Sequence, residues 1–429
     1  MKKINSTLDN ELSASFNDDV VNLGNTNITP GLERIIKVLH LLGNPQDTYQ
    51  VIHITGTNGK GSTSTFIETG LLHAGFRVGK FTTPHIYTIH ESICLNNQPI
   101  STIDLENLHI KIKQLLIEHN LSLSPFEFLT TIMFKYFAEQ RIDWLVLEVG
   151  MGGKNDATNV VNSSFSIITN VALDHTQWLG NTIAQIALEK SGIIKNGITI
   201  TAASQPEVIE VIANKTMNNY INVLDYYKPQ ITLDRVNFKT VVEFTDNGQK
   251  QHQKLKYNLS LFGKFQAYNF LCAYSVFVNL GLPEDSIKYA AEHTKWLGRL
   301  QIINNDPLII FDGTHNAAGA QSLYDTLNGF WDRTEVVIVT SILSNKNINQ
   351  MLTTFSGLTD SIIYTTIDSN SRGMTASELS KYGEGLFEHS QCVDNPDNAL
   401  VIARQLARKA VIITGSLHLL SYFDFSISS

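Results

Sequence analysis

Val51-Ile-His-Ile-Thr-Gly-Thr-Asn-Gly-Lys-Gly-Ser-Thr63 decides the fold. Val51 to Thr55 is a short, mainly apolar run that reads as a buried strand. Gly56, Gly59 and Gly61 then break regular structure, and the stretch from Ser62 onward predicts a helix. Strand, glycine-rich turn and helix in that order make a phosphate-binding loop. Backbone N–H groups converge on the anion, and the helix N-terminus adds partial positive charge. Lys60 is placed to reach outer phosphates, and Ser62 or Thr63 to support a metal ion. The spacing departs from the ordinary P-loop: position 54 is Ile rather than Gly, and Gly61 follows the lysine where Ser or Thr is usual. A tight strand–helix connection is the alternative reading, and the lysine and the hydroxyl run weigh against it.

With 429 residues the chain exceeds one ordinary core, so two or three domains are expected. It is 43% hydrophobic and 17% charged, a globular composition. A net charge of -8 argues against a general nucleic-acid binder, which needs a basic footprint. Anionic substrates must then meet local positive groups. Cys94, Cys272 and Cys392 are odd in number and lack C-x-x-C spacing, which predicts reduced thiols and a cytoplasmic protein. Lys2 and Lys3 precede no apolar segment, so no signal peptide is expected, and no run approaches the roughly 18 apolar residues of a membrane span.

Outward from the loop, strands alternate with helices. Asp143 to Glu148 is almost continuously apolar, as in a parallel strand covered on both faces. Glu148 falls at its C-terminal end, where open α/β sheets place ligands. A buried carboxylate there needs a metal or a hydrogen-bond cage. The glycine-rich run Gly150 to Asn159 follows, and a further strand, Phe165 to Val171, leads to Asp174 and His175. Residues 1 to 28 are polar and read as a weakly structured lead-in; 199 to 260 alternate short β-like runs with turns. A boundary is expected near Trp296, dividing the chain into 1–296 and 297–429. Beyond it, Leu308–Phe311, Glu335–Thr340, Ser361–Thr366 and Ala410–Thr414 read as strands of a second doubly wound domain. The expected fold is therefore α/β: an N-terminal P-loop-type ATPase domain with a mostly parallel sheet, and a C-terminal Rossmann-like domain.

These blocks resemble the Mur ligase superfamily, and most closely its folylpolyglutamate synthase and dihydrofolate synthase family, from about Pro30 to Phe423. The resemblance implies roles residue by residue. Thr57, Asn58, Gly59, Lys60, Gly61 and Ser62 would hold ATP phosphates, with Asn269 on the adenine nucleotide. Arg299, from a block similar to the family's Pro-Gly-Arg linker, and Asp312 would reach the same nucleotide. Thr83, in a loop similar to the family's Ser-Pro-His, would join Glu148 and His175 around magnesium. Lys190, in Glu189-Lys-Ser-Gly-Ile-Ile194, would be carbamylated and serve a second magnesium. Phe126 and Phe128 resemble a segment near the pterin ring; two core aromatics are the alternative. Asp312 and His315 would hold and deprotonate the incoming amine, and Ser416 would contact glutamate.

The implied activity is an ATP-dependent ligation of L-glutamate to a folate carboxylate through an acyl phosphate. A dihydrofolate synthase using dihydropteroate, or an enzyme with both activities, is the alternative within the class. A nucleotide-binding paralogue without catalysis is the alternative outside it. A monomer, closing about Gly298, is expected. The chain departs from the family pattern at Ser92 and Lys154, where the family has Arg, at Leu297, where it has Pro, and in Ser344-Asn-Lys-Asn347, which keeps only Lys346.

Overall fold

The computed structural model describes Phe16, residues 31–246 and residues 253–423. The polar lead-in of residues 1 to 28 lies outside these, apart from Phe16. The chain divides into two compact units. The first takes the described residues up to Gln230, with Val242–Leu259 and Gln266–Thr294. The second takes Ile231–Val241, Ser260–Phe265 and the chain from Lys295 onward. The division expected at 296/297 is linear. In the structure two segments from before that point, 231–241 and 260–265, pack with the second unit.

The first unit is built on eight strands: β1 (Gln50–Thr55), β2 (Val78–Phe81), β3 (Ile93–Leu95), β4 (Gln98–Pro99), β5 (Trp144–Glu148), β6 (Phe165–Ile168), β7 (Ile198–Thr201) and β8 (Tyr220–Asn222). Their order is β4-β3-β2-β5-β1-β6-β7-β8. From β2 to β8 the pairing is parallel, and only β3 and β4 are antiparallel additions at one edge. Parallel strands need cover on both faces, and β5 is buried at every residue. The helices Thr102–Glu118 and Pro125–Glu139 contribute Leu105, Ile112, Ile132 and Phe134 to a core that includes Leu145 and Leu147 of β5. Pro125 occupies the first turn of its helix, and Ser124 and Glu127 form a reciprocal capping box. The helix Lys60–His73 packs against Lys264–Leu280: Phe66 meets Phe270 edge to face at 5.5 Å. Gly70 is required there, because a Cβ would stand 2.6 Å from the Phe277 ring.

Strands β9 (Gln230–Asp234), β10 (Lys239–Asp246) and β11 (Gln253–Leu259) form a small sheet in the order β11-β10-β9. The second unit carries β12 (Gln301–Asn305), β13 (Leu308–Phe311), β14 (Val336–Thr340), β15 (Ser361–Tyr364), β16 (His389–Cys392) and β17 (Ala410–Thr414). Their order is β12-β13-β17-β14-β15-β16, parallel except for β12. The Rossmann-like expectation holds for the inner strands. The edge strands β12 and β16 were not expected. β16 reads His-Ser-Gln-Cys and is exposed throughout, so it has no hydrophobic signature. No described helix is long and apolar enough to cross a membrane.

Candidate functional site

The loop after β1 is braced along its length. Thr57 N donates to Asn170 O (3.0 Å), and Asn58 N donates to Asn170 Oδ1 (2.9 Å). Thr169 Oγ1 donates to Asn58 O at 2.6 Å, and Ala172 N donates to Thr57 Oγ1 at 2.9 Å. The segment after β6 thus holds both Thr57 and Asn58. Gly56 and Gly59 meet specific demands. A Cβ on Gly56 would overlap Thr169 Oγ1 at 1.8 Å; Gly59 has φ +85° and would place one 2.4 Å from Asn269 Oδ1. Asn269 therefore stands against the loop. It donates to Gln266 Oε1 (2.9 Å), and Gln266 donates to Ser62 Oγ (3.4 Å). Sequence reading missed Thr169, Asn170 and Gln266. Only their position after a strand or on the Asn269 helix marked them.

Lys60 opens its helix and folds its amine back to Gly56 O at 3.2 Å. The same amine lies 3.7 Å from Glu148 Oε1, an ion pair in which Glu148 is 5% exposed. β1 and β5 are adjacent with Ile54 opposite Glu148, which explains the meeting. Lys190 is buried, at the end of the helix Ile183–Lys190. Burial pushes its amine down to about 7; the charge of Lys60 acts in the same direction, and Asp174 and Asp156 oppose it. The pinned turn explains this location: a Cβ on Gly153 would meet Lys190 O at 2.8 Å, and Asn159 Nδ2 donates to both Lys154 O and Gly192 O. Lys154, which stands where the family has Arg, is exposed.

Asp156 is a buried carboxylate that sequence reading did not single out. It accepts from Met151 N, Thr158 N and the Thr158 hydroxyl. Burial raises its pKa, and these hydrogen bonds oppose the rise. His175 has φ +50° and its ring nitrogen lies 3.9 Å from Asp174 Oδ2. Thr83 is half-buried in a loop whose next residues are held by Glu91, which accepts from Ile86 N, Tyr87 N and Thr88 N at 2.9 to 3.0 Å. Ser92, in the position of a family arginine, is wholly buried. Among the described residues no three His, Cys, Asp or Glu side chains form a metal cluster. The structure draws Lys60, Glu148 and Lys190 into one electrostatic neighbourhood; it does not gather Thr83 and His175 into a ready cluster of that kind.

The two phenylalanines differ in burial within one core. Phe128 is buried against His109 in the core. Phe126 is half-buried over the glycine-rich run, where a Cβ on Gly150 would stand 2.6 Å from its ring.

In the second unit Asp312 follows β13. Its two oxygens accept from Leu300 N and Thr314 N, each at 3.0 Å. Burial raises its pKa, and Arg299 is the largest opposing influence. Arg299 Nη1 donates to Gly298 O and lies where a Cβ on Gly313 would be, 2.3 Å away. His315 Nδ1 is 2.9 Å from Gly313 O. A carbonyl only accepts, so Nδ1 carries the proton and Nε2 is the basic nitrogen. Ser416 is buried and accepts from His418 N at 3.1 Å. β13 and β17 are neighbours, and Gly415 N donates to Thr314 O, so the Asp312 and Ser416 turns adjoin.

Two family models match the chain: the Mur ligase middle domain over residues 54–277, and the Mur ligase glutamate ligase domain over residues 298–417. The chain is 30% identical over 411 residues to the dihydrofolate synthase/folylpolyglutamate synthase of Bacillus subtilis, covering 92% of this chain and 94% of that one. It is 32% identical over 366 residues to the dihydrofolate synthetase of Saccharomyces cerevisiae, covering 80% and 82%. Among solved structures, the Mycobacterium tuberculosis folylpolyglutamate synthase complexed with ADP and AMPPCP has a TM-score of 0.82 at 29% identity, covering 92% and 94%. Escherichia coli FolC in complex with DHPP and ADP has a TM-score of 0.82 at 27% identity, covering 95% and 96%. With strand order, loop chemistry and both domain models in agreement, the chain belongs to the folylpolyglutamate synthase and dihydrofolate synthase family of the Mur ligase superfamily.

Proposed function

We propose that this chain is an ATP-dependent ligase that joins glutamate to the carboxylate of a folate. The carboxylate takes the terminal phosphoryl of ATP, giving an acyl phosphate and ADP. The amine of glutamate then attacks the acyl carbon, phosphate leaves, and the amine's proton passes to a base. The observation that carries this reading is the Lys60–Glu148 pair at 3.7 Å, where the end of β5 meets a loop that packs so closely at Gly56 and Gly59 that only glycine fits. Such a route needs no covalent enzyme nucleophile. It needs placement and charge compensation.

Thr57 to Ser62 and Asn269 hold the nucleotide, and Lys60 neutralises phosphate charge. Arg299 adds a second cation. Asp312 spends both oxygens on backbone N–H groups, so it shapes the His315 turn, and His315 Nε2 receives the proton. Ser416 orients the amino acid, and Phe126 lies under the pterin. Glu148, a buried carboxylate, would be the first unit's ligand for a magnesium ion; the resemblance adds Thr83 and His175, which are not clustered with it in this structure. When bound the ion would spread the negative charge of the phosphates. Lys190 supports a second such site once its amine takes up carbon dioxide. The neutral nitrogen bonds to the carbon, a proton leaves to solvent, and the amine becomes an anionic carbamate with two oxygen donors. Its lowered pKa favours the neutral amine that this requires. The same substrates, together with three unpaired cysteines, support work in the cytoplasm.

Dihydropteroate is the second acceptor to test, because relatives bear both names. The deciding assay combines protein, ATP, magnesium and glutamate with tetrahydrofolate or dihydropteroate in turn. ADP release should require both glutamate and one acceptor. Release that ignores glutamate with every acceptor would defeat the ligase reading.

A further inference from the structure

The helix Thr102–Glu118 turns Leu105, Leu108, Ile112 and Leu116 into the core of the first unit. Its opposite face carries an apolar row: Ile103 is 72% exposed, Ile110 53% and Ile117 73%. The three recur at a heptad spacing, so each is displaced from the last by only about 20° around the helix. At 1.5 Å per residue the row runs for roughly 21 Å. Single exposed apolar side chains are ordinary, whereas three on one line form the seam along which a helix meets another helix. The flanks of the row are ordered as well. Glu106 and Lys113 lie along one side and are half-buried; Asn107 and Gln114 lie along the other and are exposed. The ligation chemistry uses none of these residues.

We propose that this face pairs with the same face of a second copy of the chain, the two helices running antiparallel about a two-fold axis at Ile110. An isologous contact has to complement itself. With the axis at Ile110, residues equally far before and after that position lie across from one another. Ile110 meets its counterpart, and Ile103 of each copy meets Ile117 of the other. The two-fold keeps each flank on its own side. Glu106 of each copy therefore approaches Lys113 of the other, and Asn107 approaches Gln114. A parallel pair would set Glu106 against Glu106 and Lys113 against Lys113, like charges at both points, so the charge order specifies the antiparallel arrangement. A single helix pair is a small contact, below the roughly 1,200 Å² of stable complexes, so the dimer is weak and half-formed on the order of 10–100 μM. This departs from the monomer expected from the resemblance.

Sedimentation equilibrium of the full chain, from about 5 μM to about 500 μM, tests the pairing across the range where mass action should reveal it. The average mass should climb toward twice the monomer value. Ile110→Glu sets two carboxylates against each other at the axis and should raise the dissociation constant more than about tenfold. Its melting midpoint at the lowest concentration should match that of the wild type, because Ile110 faces solvent in the monomer. Glu106→Lys and Lys113→Glu should each weaken association about two- to tenfold, as loss of two rim ion pairs does. An equimolar mixture of those two variants should regain wild-type association, because opposite charges again face each other across the axis. A wild type that stays monomeric at every concentration overturns the proposal. A dimer that Ile110→Glu leaves intact also overturns it, since the contact then lies on another face. A mixture no tighter than its components removes the antiparallel pairing.

Discussion

The phosphate-loop end of the first unit and the sheet edge of the second treat charge in opposite ways. In the first, two lysines, Lys60 and Lys190, are held within electrostatic reach of each other, one of them wholly buried. In the second, Asp312 is caged by Leu300 N and Thr314 N with Arg299 close by. A carboxylate whose oxygens are both occupied shapes a turn. An amine buried near a second lysine costs stability in its charged form, and an arriving anion offsets that cost. The first end is thus arranged for an anionic ligand at the expense of the unliganded fold, and the second is arranged for geometry.

Three substitutions test that contrast, beginning with the largest effect. Lys60→Ala should lower ADP formation on the order of 10²–10³-fold, as loss of a charge-stabilising group does. The fold should be retained, and near-normal turnover would move the nucleotide site elsewhere. Lys190→Met should cost about 100-fold in turnover, comparable to loss of a metal-supporting group, yet raise the melting midpoint in CO2-free buffer. The sign follows from linkage. The folded amine titrates at about 7 against 10.5 for the ordinary group, so between those values the unfolded chain holds a proton that the native one has lost. Wild-type stability should therefore rise with pH across that window, and level off below it, where both states are protonated. Lys190→Met should remove this slope; a slope that persists would show that other groups produce it. Asp312→Asn should have the smallest effect on turnover and the opposite effect on stability. It leaves one backbone donor without its carboxylate oxygen, a loss of about 1–3 kcal/mol. A raised midpoint for this variant would contradict the caging role.

Local chemistry determined much of this molecule. A short apolar run, three glycines and a lysine are enough to specify strand, anion cradle and helix, because turn sterics and the strand period act over a few residues. Glu148 and Asp312 were legible as strand-end groups for the same reason. The alternation of apolar runs with helical spacing also revealed β1, β5 and β6 of the first unit and the inner strands of the second, but not β7. The tertiary structure decided what depends on distant segments meeting. Gln266 reaches Ser62 across 204 residues, and no periodicity encodes that closure. Phe126 and Phe128 share one helix and read alike, yet only packing buries Phe128 inside the core and leaves Phe126 half-buried at its margin over Gly150. Segments 231–241 and 260–265 join the second unit because of where their side chains are buried, not where they fall in the chain. Edge strand β16 needs only a neighbour's backbone to form, so its polar sequence concealed it. The lowered pKa of Lys190 exists only because folding buries its amine near Lys60.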